Sequence, residues 1–387
     1  MPSEAATIIN KKKINTNISQ KSAPDYIFLF SVFLLLIIGF IMILSSSQAV
    51  GLDFFNDSYY FIKRHAIYLF LGMGAFSLGV FIDYKNYRKW AAGGLILTVF
   101  LLFLTYVPGI GRNELGATRW VNLGIFSFQP SELAKLAIII FVATYLENKK
   151  IVIRSFLQGV MPVLMVVGFI GAIVLIQPDL GTTIVILSIS FIMIYASGAK
   201  TWHMFILALI GARTALWVIW RSPYQKERIL AFLDPWKDSL GIGFHIIQSW
   251  LAIGSGGFFG LGLGNSRQKF YYLPQQFTDF IFAILCEEGG FIFATFVVVL
   301  FGIFLWKGLL ISVKAPDYFS RYLVLGLVCW IFLQAFINIS VVLGLLPTTG
   351  IPLTFLSFGG TALVVNLYSV GIITQISTLK KPDKDNK

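Results

Sequence analysis

Apolar runs of about 20 residues, the length that carries a helix across a bilayer core, recur along most of this chain. They lie near 26–49, 61–82, 90–107, 131–146, 156–176, 180–198, 202–220, 278–305, 321–343 and 360–378. A closed β-barrel would instead show alternating segments of about ten residues, and the sequence has none. Only 12% of the 387 residues are charged and 57% are hydrophobic, whereas a soluble domain carries roughly twice that charge. These features predict an all-α integral membrane protein of about ten transmembrane helices, with a polytopic domain over 25–379.

The net charge of +12 sits in short basic tracts between the apolar runs. That placement orients a membrane protein and does not describe a nucleic-acid surface. With the N-terminus inside, 18 of the 30 Lys and Arg residues fall on the inner side, among them Lys11, Lys12, Lys13, Lys85, Arg88, Lys149, Lys150, Lys307 and Lys380. Both termini are therefore expected in the cytoplasm, as polar tails over 1–24 and 380–387. The basic residues assigned to the outer side are clustered. Lys63 and Arg64 open the second helix, and Arg112 and Arg119 lie in a loop near 108–130. Arg221, Lys226, Arg228, Lys237, Arg267 and Lys269 lie in a long extracytoplasmic loop near 221–277, between helices seven and eight. They suit an anionic group at the outer face, although long loops also translocate whatever their charge. Ile246, Ile247, Trp250, Leu251 and Ile253 are spaced for a helix lying near the interface or packed back into the bundle.

The strongest chemical signal is Asp279, a lone carboxylate at the outer mouth of an apolar helix, preceded by Leu273-Pro274-Gln275-Gln276-Phe277-Thr278. Such a group is costly unless it faces a polar cavity, and partial burial makes it a better general base. The structural alternative is a helix cap formed with Thr278. Glu287, eight residues on, shares nearly the same helix face and suits the same cavity. Adjacent Glu288 does not share that face, so the two are not a matched glycosidase pair. Their alternative role is to neutralise a buried Arg213 or Lys135.

Arg119 offers a bidentate fork to phosphate, and Trp120 suits an interface or a sugar face. Glu132 and Lys135, three apart after Gln129-Pro130-Ser131, either pair with each other or contribute to a site, and Ser131 is placed to cap their helix. The glycine-rich run 254–264 lacks the Lys-Ser/Thr ending of a P-loop, and close backbone packing explains it equally well. Cys286 and Cys329 lie inside apolar runs, the three histidines are scattered, and no metal-ligand spacing exists. No cofactor is expected, while any divalent-cation requirement is left open by the sequence.

Asn265-Ser266-Arg267-Gln268-Lys269, Tyr272-Leu273-Pro274 and Thr278-Asp279-Phe280-Ile281-Phe282-Ala283 resemble the SEDS (shape, elongation, division, sporulation) family. So do Phe232-Leu233-Asp234-Pro235, Gln129-Pro130-Ser131-Glu132, Leu346-Pro347-Thr348-Thr349-Gly350-Ile351-Pro352 and Ser357-Phe358-Gly359-Gly360, in order over 25–378. The Gly262–Lys269 stretch is similar to the division branch. The resemblance implies a SEDS-type fold and polymerisation of lipid II into glycan strands at the outer face of the bacterial cytoplasmic membrane, at the division septum. It also implies a class B penicillin-binding protein as transpeptidase partner, alongside other divisome membrane proteins.

By the same resemblance Asp279 matches the family's essential aspartate and is the expected general base. Arg119, Lys135 and Lys269 are expected to stabilise the departing undecaprenyl pyrophosphate, and Trp120, Glu132, Gln275 and Glu287 complete the expected substrate-binding set. Two positions depart from the family pattern, which usually has Glu at Gln275 and His at Phe277. Competing readings are a lipid II flippase, which needs a path open to both faces, and a divisome scaffold without chemistry, which would tolerate Asp279→Asn.

Overall fold

Every apolar run of the sequence becomes a helix, and polar residues at the run boundaries start several of them. The computed structural model describes residues 22–379 except 115, 116, 123, 125, 126, 149–152 and 271. The expected tails up to residue 21 and over 380–387, and Lys149 and Lys150, lie outside the described residues. Asp25 accepts from the Phe28 N–H at 3.1 Å to begin α1 (Tyr26–Phe55). After α2 (Tyr60–Phe81), Asp83 accepts from the Lys85 N–H at 3.0 Å to begin α3 (Tyr84–Leu104). Then come α4 (Pro130–Asn148), a π-helical turn (Phe156–Val160) running into α5 (Met161–Ile176), α6 (Leu180–Ala196) and α7 (Thr201–Arg221). The long connection holds α8 (Pro223–Leu233), a short 3-10 turn (Pro235–Asp238) and α9 (Phe244–Gly256). α10 (Ile281–Lys314), α11 (Tyr318–Val342) and α12 (Gly360–Ser377) close the bundle, with Asp317 and Ser320 forming a reciprocal capping box at the start of α11.

Among the described residues, 8 helices are long and apolar enough to span a membrane: α1, α2, α3, α5 with its π turn, α7, α10, α11 and α12. α6 is a shorter apolar helix of 17 residues, and α4 carries Glu132, Lys135 and Glu147 within its apolar run. With these two, each predicted run has its helix.

The two ends of the described chain meet, since the Ser22 N–H donates to the Thr378 carbonyl at 2.7 Å. At that end Lys307 pairs with Asp25 at 3.4 Å, and the Gln375 amide donates to the carbonyls of Val80 and Ile82, clamping the α2–α3 turn. The connections over 105–129, 177–179, 222–280 and 343–359 lie at the opposite end. Helix α11 is the hub of the bundle, packed on α4, α6, α10 and α12. α2 and α12 touch through glycine, because a Cβ on Gly79 would stand 2.5 Å from the Tyr368 carbonyl oxygen and one on Gly371 2.2 Å from that of Phe76. α7 stands apart, with Met204 its one buried residue.

Two features differ from expectation. The segment near 108–130 is not a plain loop but a small antiparallel sheet in an otherwise helical protein: β1 (Gly111–Glu114), β2 (Ala117–Asn122) and β3 (Ser127–Phe128), in that order. Pro108 and four glycines punctuate that stretch and disfavour a helix, and the strand pairing supplies partners for backbone groups of the described residues. In the β1–β2 register Arg112 faces Trp120 and Asn113 faces Thr118, so Arg119 is the extra residue of a bulge.

The second difference lies in α10, which is broken at Gly290 (φ 72°, ψ −174°). The freed groups are taken up by the glycine-rich run after α9. Leu261 and Gly262 N–H donate to the carbonyls of Glu287 and Glu288, each at 3.0 Å, and Phe291 and Ile292 N–H donate to those of Gly257 and Phe258, at 2.9 and 3.3 Å. The run is thus a backbone splint, and α9 packs back on α10 as expected, burying Ile246, Ile247 and Ala252. A Cβ on Gly290 would lie 2.3 Å from the Gly260 nitrogen, in a backbone region open only to glycine. Gly290→Ala is therefore expected to destabilise the protein by roughly 2 kcal/mol. Gly302→Ala in the same helix, where a Cβ meets nothing within 4 Å, should not. Thermal unfolding in detergent compares the two.

Candidate active site

Asp279 lies just before α10, in a turn built by its own neighbours. Gln275 takes a left-handed backbone (φ 55°), its carbonyl accepts from Thr278 and Phe280 N–H at 3.1 and 3.2 Å, and its side chain accepts from the Thr278 hydroxyl at 2.6 Å. The turn is pinned from outside. The Asn338 amide on α11 donates to the Asp279 carbonyl at 2.7 Å and to that of Ile351 at 2.8 Å, while Ser357 donates to the Thr278 carbonyl. Phe277 packs against Phe61 of α2 (ring centroids 4.5 Å apart) and Phe358 (5.9 Å), so where the family usually has His this chain has an apolar pin.

These contacts occupy the backbone and leave the carboxylate out. Helix α10 has Phe280 at its N-cap with no side-chain cap, so Asp279 is not the capping group. Among the described residues nothing donates a hydrogen bond to its carboxylate. The Asp279 carboxylate faces Gly350, where a methyl group would stand 3.8 Å from Oδ2. Loss of water around it raises its pKa to about 6, against the opposing pull of the Arg228 and Arg119 guanidinium charges, with Asp179 adding a smaller push upward.

The two arginines come from separate elements. Arg228 on α8 donates to the Thr348 carbonyl at 3.0 Å. Arg119, re-aimed by the β-bulge, donates from Nε to the Gln177 carbonyl at 3.1 Å and from Nη2 to that of Pro178. Asp179 caps α6, accepting from the N–H and hydroxyl of Thr182 at 3.1 and 2.9 Å. Gly181 abuts Thr349 and Ile351, which brings the start of α6 to the same wall. The result is one unengaged carboxylate beside two guanidinium groups around the 348–351 segment: a proton acceptor next to positive charge suited to phosphate.

Other predicted residues lie elsewhere. Lys135 and Glu132 form a buried pair at 2.7 Å, with the ammonium over the Trp330 ring at 5.2 Å, and Ser131 makes no cap bond. Lys269 pairs with Glu288 at 3.2 Å, and Ser45 donates to the same carboxylate at 2.6 Å. Glu287 does not turn toward Asp279. It accepts from the Ser266 hydroxyl and from the Arg267 and Gln268 N–H at 3.0 and 3.4 Å, so neither glutamate partners Arg213 or Lys135. Trp120 sits half-buried in β2 beside Arg119.

Sequence reasoning missed Asp179, Asn338 and the role of Arg228. The signals were a Gln-Pro-Asp triplet at a helix start, and two amides, Gln334 and Asn338, one turn apart in an apolar run. Gln334 and Asn366 line a small cavity with Thr354 and Ser357, directly behind the segment that walls the site.

The family model described as cell cycle protein, covering FtsW, RodA and SpoVE, matches residues 26–382. The chain is 43% identical over 360 residues to stage V sporulation protein E of Bacillus subtilis (strain 168), covering 93% of this chain and 98% of that one. It is 40% identical over 354 residues to the probable peptidoglycan glycosyltransferase FtsW of Geobacter sp. (strain M18), covering 92% and 96%. Its fold is similar to a chain from a peptidoglycan synthase complex that coordinates polymerization and crosslinking, with TM-score 0.75, 28% identity, and 92% and 98% of the two chains covered. It is also similar to the Thermus thermophilus rod shape determining protein RodA, with TM-score 0.67, 25% identity, and 92% and 97% covered.

Removing one partner of a buried ion pair strands the other. Lys269→Met is therefore expected to cost about 3 kcal/mol, and the Lys269→Met/Glu288→Gln pair less than the sum of its single changes. A double-mutant cycle read by thermal unfolding gives the coupling.

Proposed function

The chain belongs to the cell cycle protein family of FtsW, RodA and SpoVE, and from that premise we propose that it is a peptidoglycan glycosyltransferase that polymerises lipid II with Asp279 as general base. The observation that carries this reading is the Asp279 carboxylate, held by its backbone, left without a donor and set beside Arg119 and Arg228. In the proposed step the carboxylate takes the proton from the acceptor sugar's 4-hydroxyl, and that oxygen bonds to the donor's anomeric carbon. The bond from that carbon to the phosphate oxygen breaks, and the pyrophosphate leaves with the electron pair. The two guanidinium groups stabilise the charge that develops there. Lys135 and Lys269 enter through the pairs that hold α4 and the 257–277 segment in place. Trp120, next to Arg119, is proposed to meet a sugar face.

The basic bias of the termini end supports placing it in the cytoplasm and the site at the outer face. The similarity to a synthase complex supports a class B penicillin-binding protein as partner. Likeness to FtsW proteins supports septal work in cell division, and the similarity to a sporulation protein supports a second reading in which the same chemistry serves sporulation. The unengaged Asp279 carboxylate and the two guanidinium groups beside it sit at one end of the bundle, which favours the enzyme over a flippase.

Glycan formation from lipid II by the purified protein with its class B partner is the direct test. Asp279→Ala is expected to lower polymer yield by about 10²- to 10⁴-fold while the protein stays folded. No polymer from the wild type, with lipid II crossing liposomes, would overturn the assignment. A base works when ionised, so activity should fall as pH drops through about 6. Arg228→Gln removes a charge that favours ionisation, so it should move that acidic limb to higher pH.

A further inference from the structure

Helix α7 has a face that the rest of the described residues do not use. Trp202, Leu209, Ile210, Leu216, Trp217 and Trp220 are exposed on it, between 54% and 78%. At 100° per residue these side chains share one side with Arg213 and Arg221. Arg213 is exposed and makes no ion pair or hydrogen bond among the described residues, although it lies within an apolar span. At the end of the helix toward the Asp279 site, Arg221 lies over the Trp217 ring at 5.5 Å, and Lys226 of α8 lies over the Trp220 ring at 5.3 Å. Tryptophans at a helix end mark the headgroup level of a bilayer. Arg213 is four residues below Trp217, roughly 6 Å along the axis, a distance its side chain covers by snorkelling.

We propose that this face binds the phosphate of an anionic phospholipid in the leaflet on the Asp279 side, with Arg213 reaching up to it and Arg221 and Lys226 closing from above. Charge and shape select this occupant. Arg213 and Arg221 lie on one side of α7, and Lys226 of α8 lies over Trp220 on that same side. An isolated guanidinium at this depth needs an anion. A partner helix would seek small residues that let backbones approach, but Gly211 and Ala215 lie on the opposite side of α7, and the cationic face is built of Trp, Leu and Ile. Acyl chains fit such a surface. The proposal depends on membrane insertion and is independent of the glycosyl-transfer reading.

The test is native mass spectrometry of the full chain titrated with phosphatidylglycerol or phosphatidylcholine. The wild type is expected to prefer phosphatidylglycerol by at least about tenfold, and the Arg213→Gln/Arg221→Gln/Lys226→Gln protein to lose that preference with an unchanged melting temperature. Equal binding of the two lipids by the wild type, or a preference undiminished in the triple variant, would overturn the proposal. Displacement of phosphatidylglycerol by a polyprenyl pyrophosphate would reassign the face to that lipid. Loss of the preference only when a carboxylate-bearing partner helix is added would give the face to that partner. A second readout needs no variant. Brominated phosphatidylglycerol should quench tryptophan emission more than brominated phosphatidylcholine does, and equal quenching would sink the idea.

Discussion

A buried backbone must find all its hydrogen-bond partners within the protein, and the join between the splint and the broken helix is where this chain meets that demand least conventionally. The interruption at Gly290 frees backbone groups that lipid could not satisfy, and Gly257–Gly262 supplies the missing donors and acceptors. Two carboxylates at the break serve the same join. Glu287 gathers the N–H groups of the following loop, while Glu288 ties that loop to α1 through Lys269 and Ser45. The turn carrying Asp279 lies between the splint and α10 and is pinned separately, by Asn338, Ser357 and the packing of Phe277.

The charged groups divide by whether they have been neutralised. Glu132 with Lys135, and Glu288 with Lys269, are closed pairs in the interior. Asp179 is consumed by its cap. Arg119 and Arg228 each hold backbone carbonyls, yet a guanidinium has five N–H donors, and the bonds described use only some of them. Among the described residues the Asp279 carboxylate accepts no hydrogen bond, and it lies where the two guanidinium charges act on it. Packing leaves that carboxylate available as a proton acceptor.

The ten apolar runs that become helices were legible because bilayer thickness imposes a length that composition reveals directly, and eight of those helices are long and apolar enough to span. The helix within 221–277 was legible for a similar reason, its apolar residues falling at helical spacing. Asp279 stood out as a carboxylate at an apolar boundary. What pattern could not reveal was pairing. Glu287 reads as facing Asp279 when α10 is drawn as one unbroken helix, and the break with its splint redirects it. Lys135 and Lys269 carry charge in the sequence without disclosing that it is already matched. Arg119 depends on a bulge, and Arg228 on the fold of α8, both set by tertiary contacts rather than local spacing.

The splint also sets an order of assembly. Residues 257–262 leave the ribosome before 287–292, so the earlier stretch must wait for its counterpart, and Asp279 lies between the two. A chain can thread its helices through the bilayer before this join is made. Until the two stretches meet, the backbone groups freed at Gly290 lack these partners, so placing the helices and closing this join are separate steps of assembly.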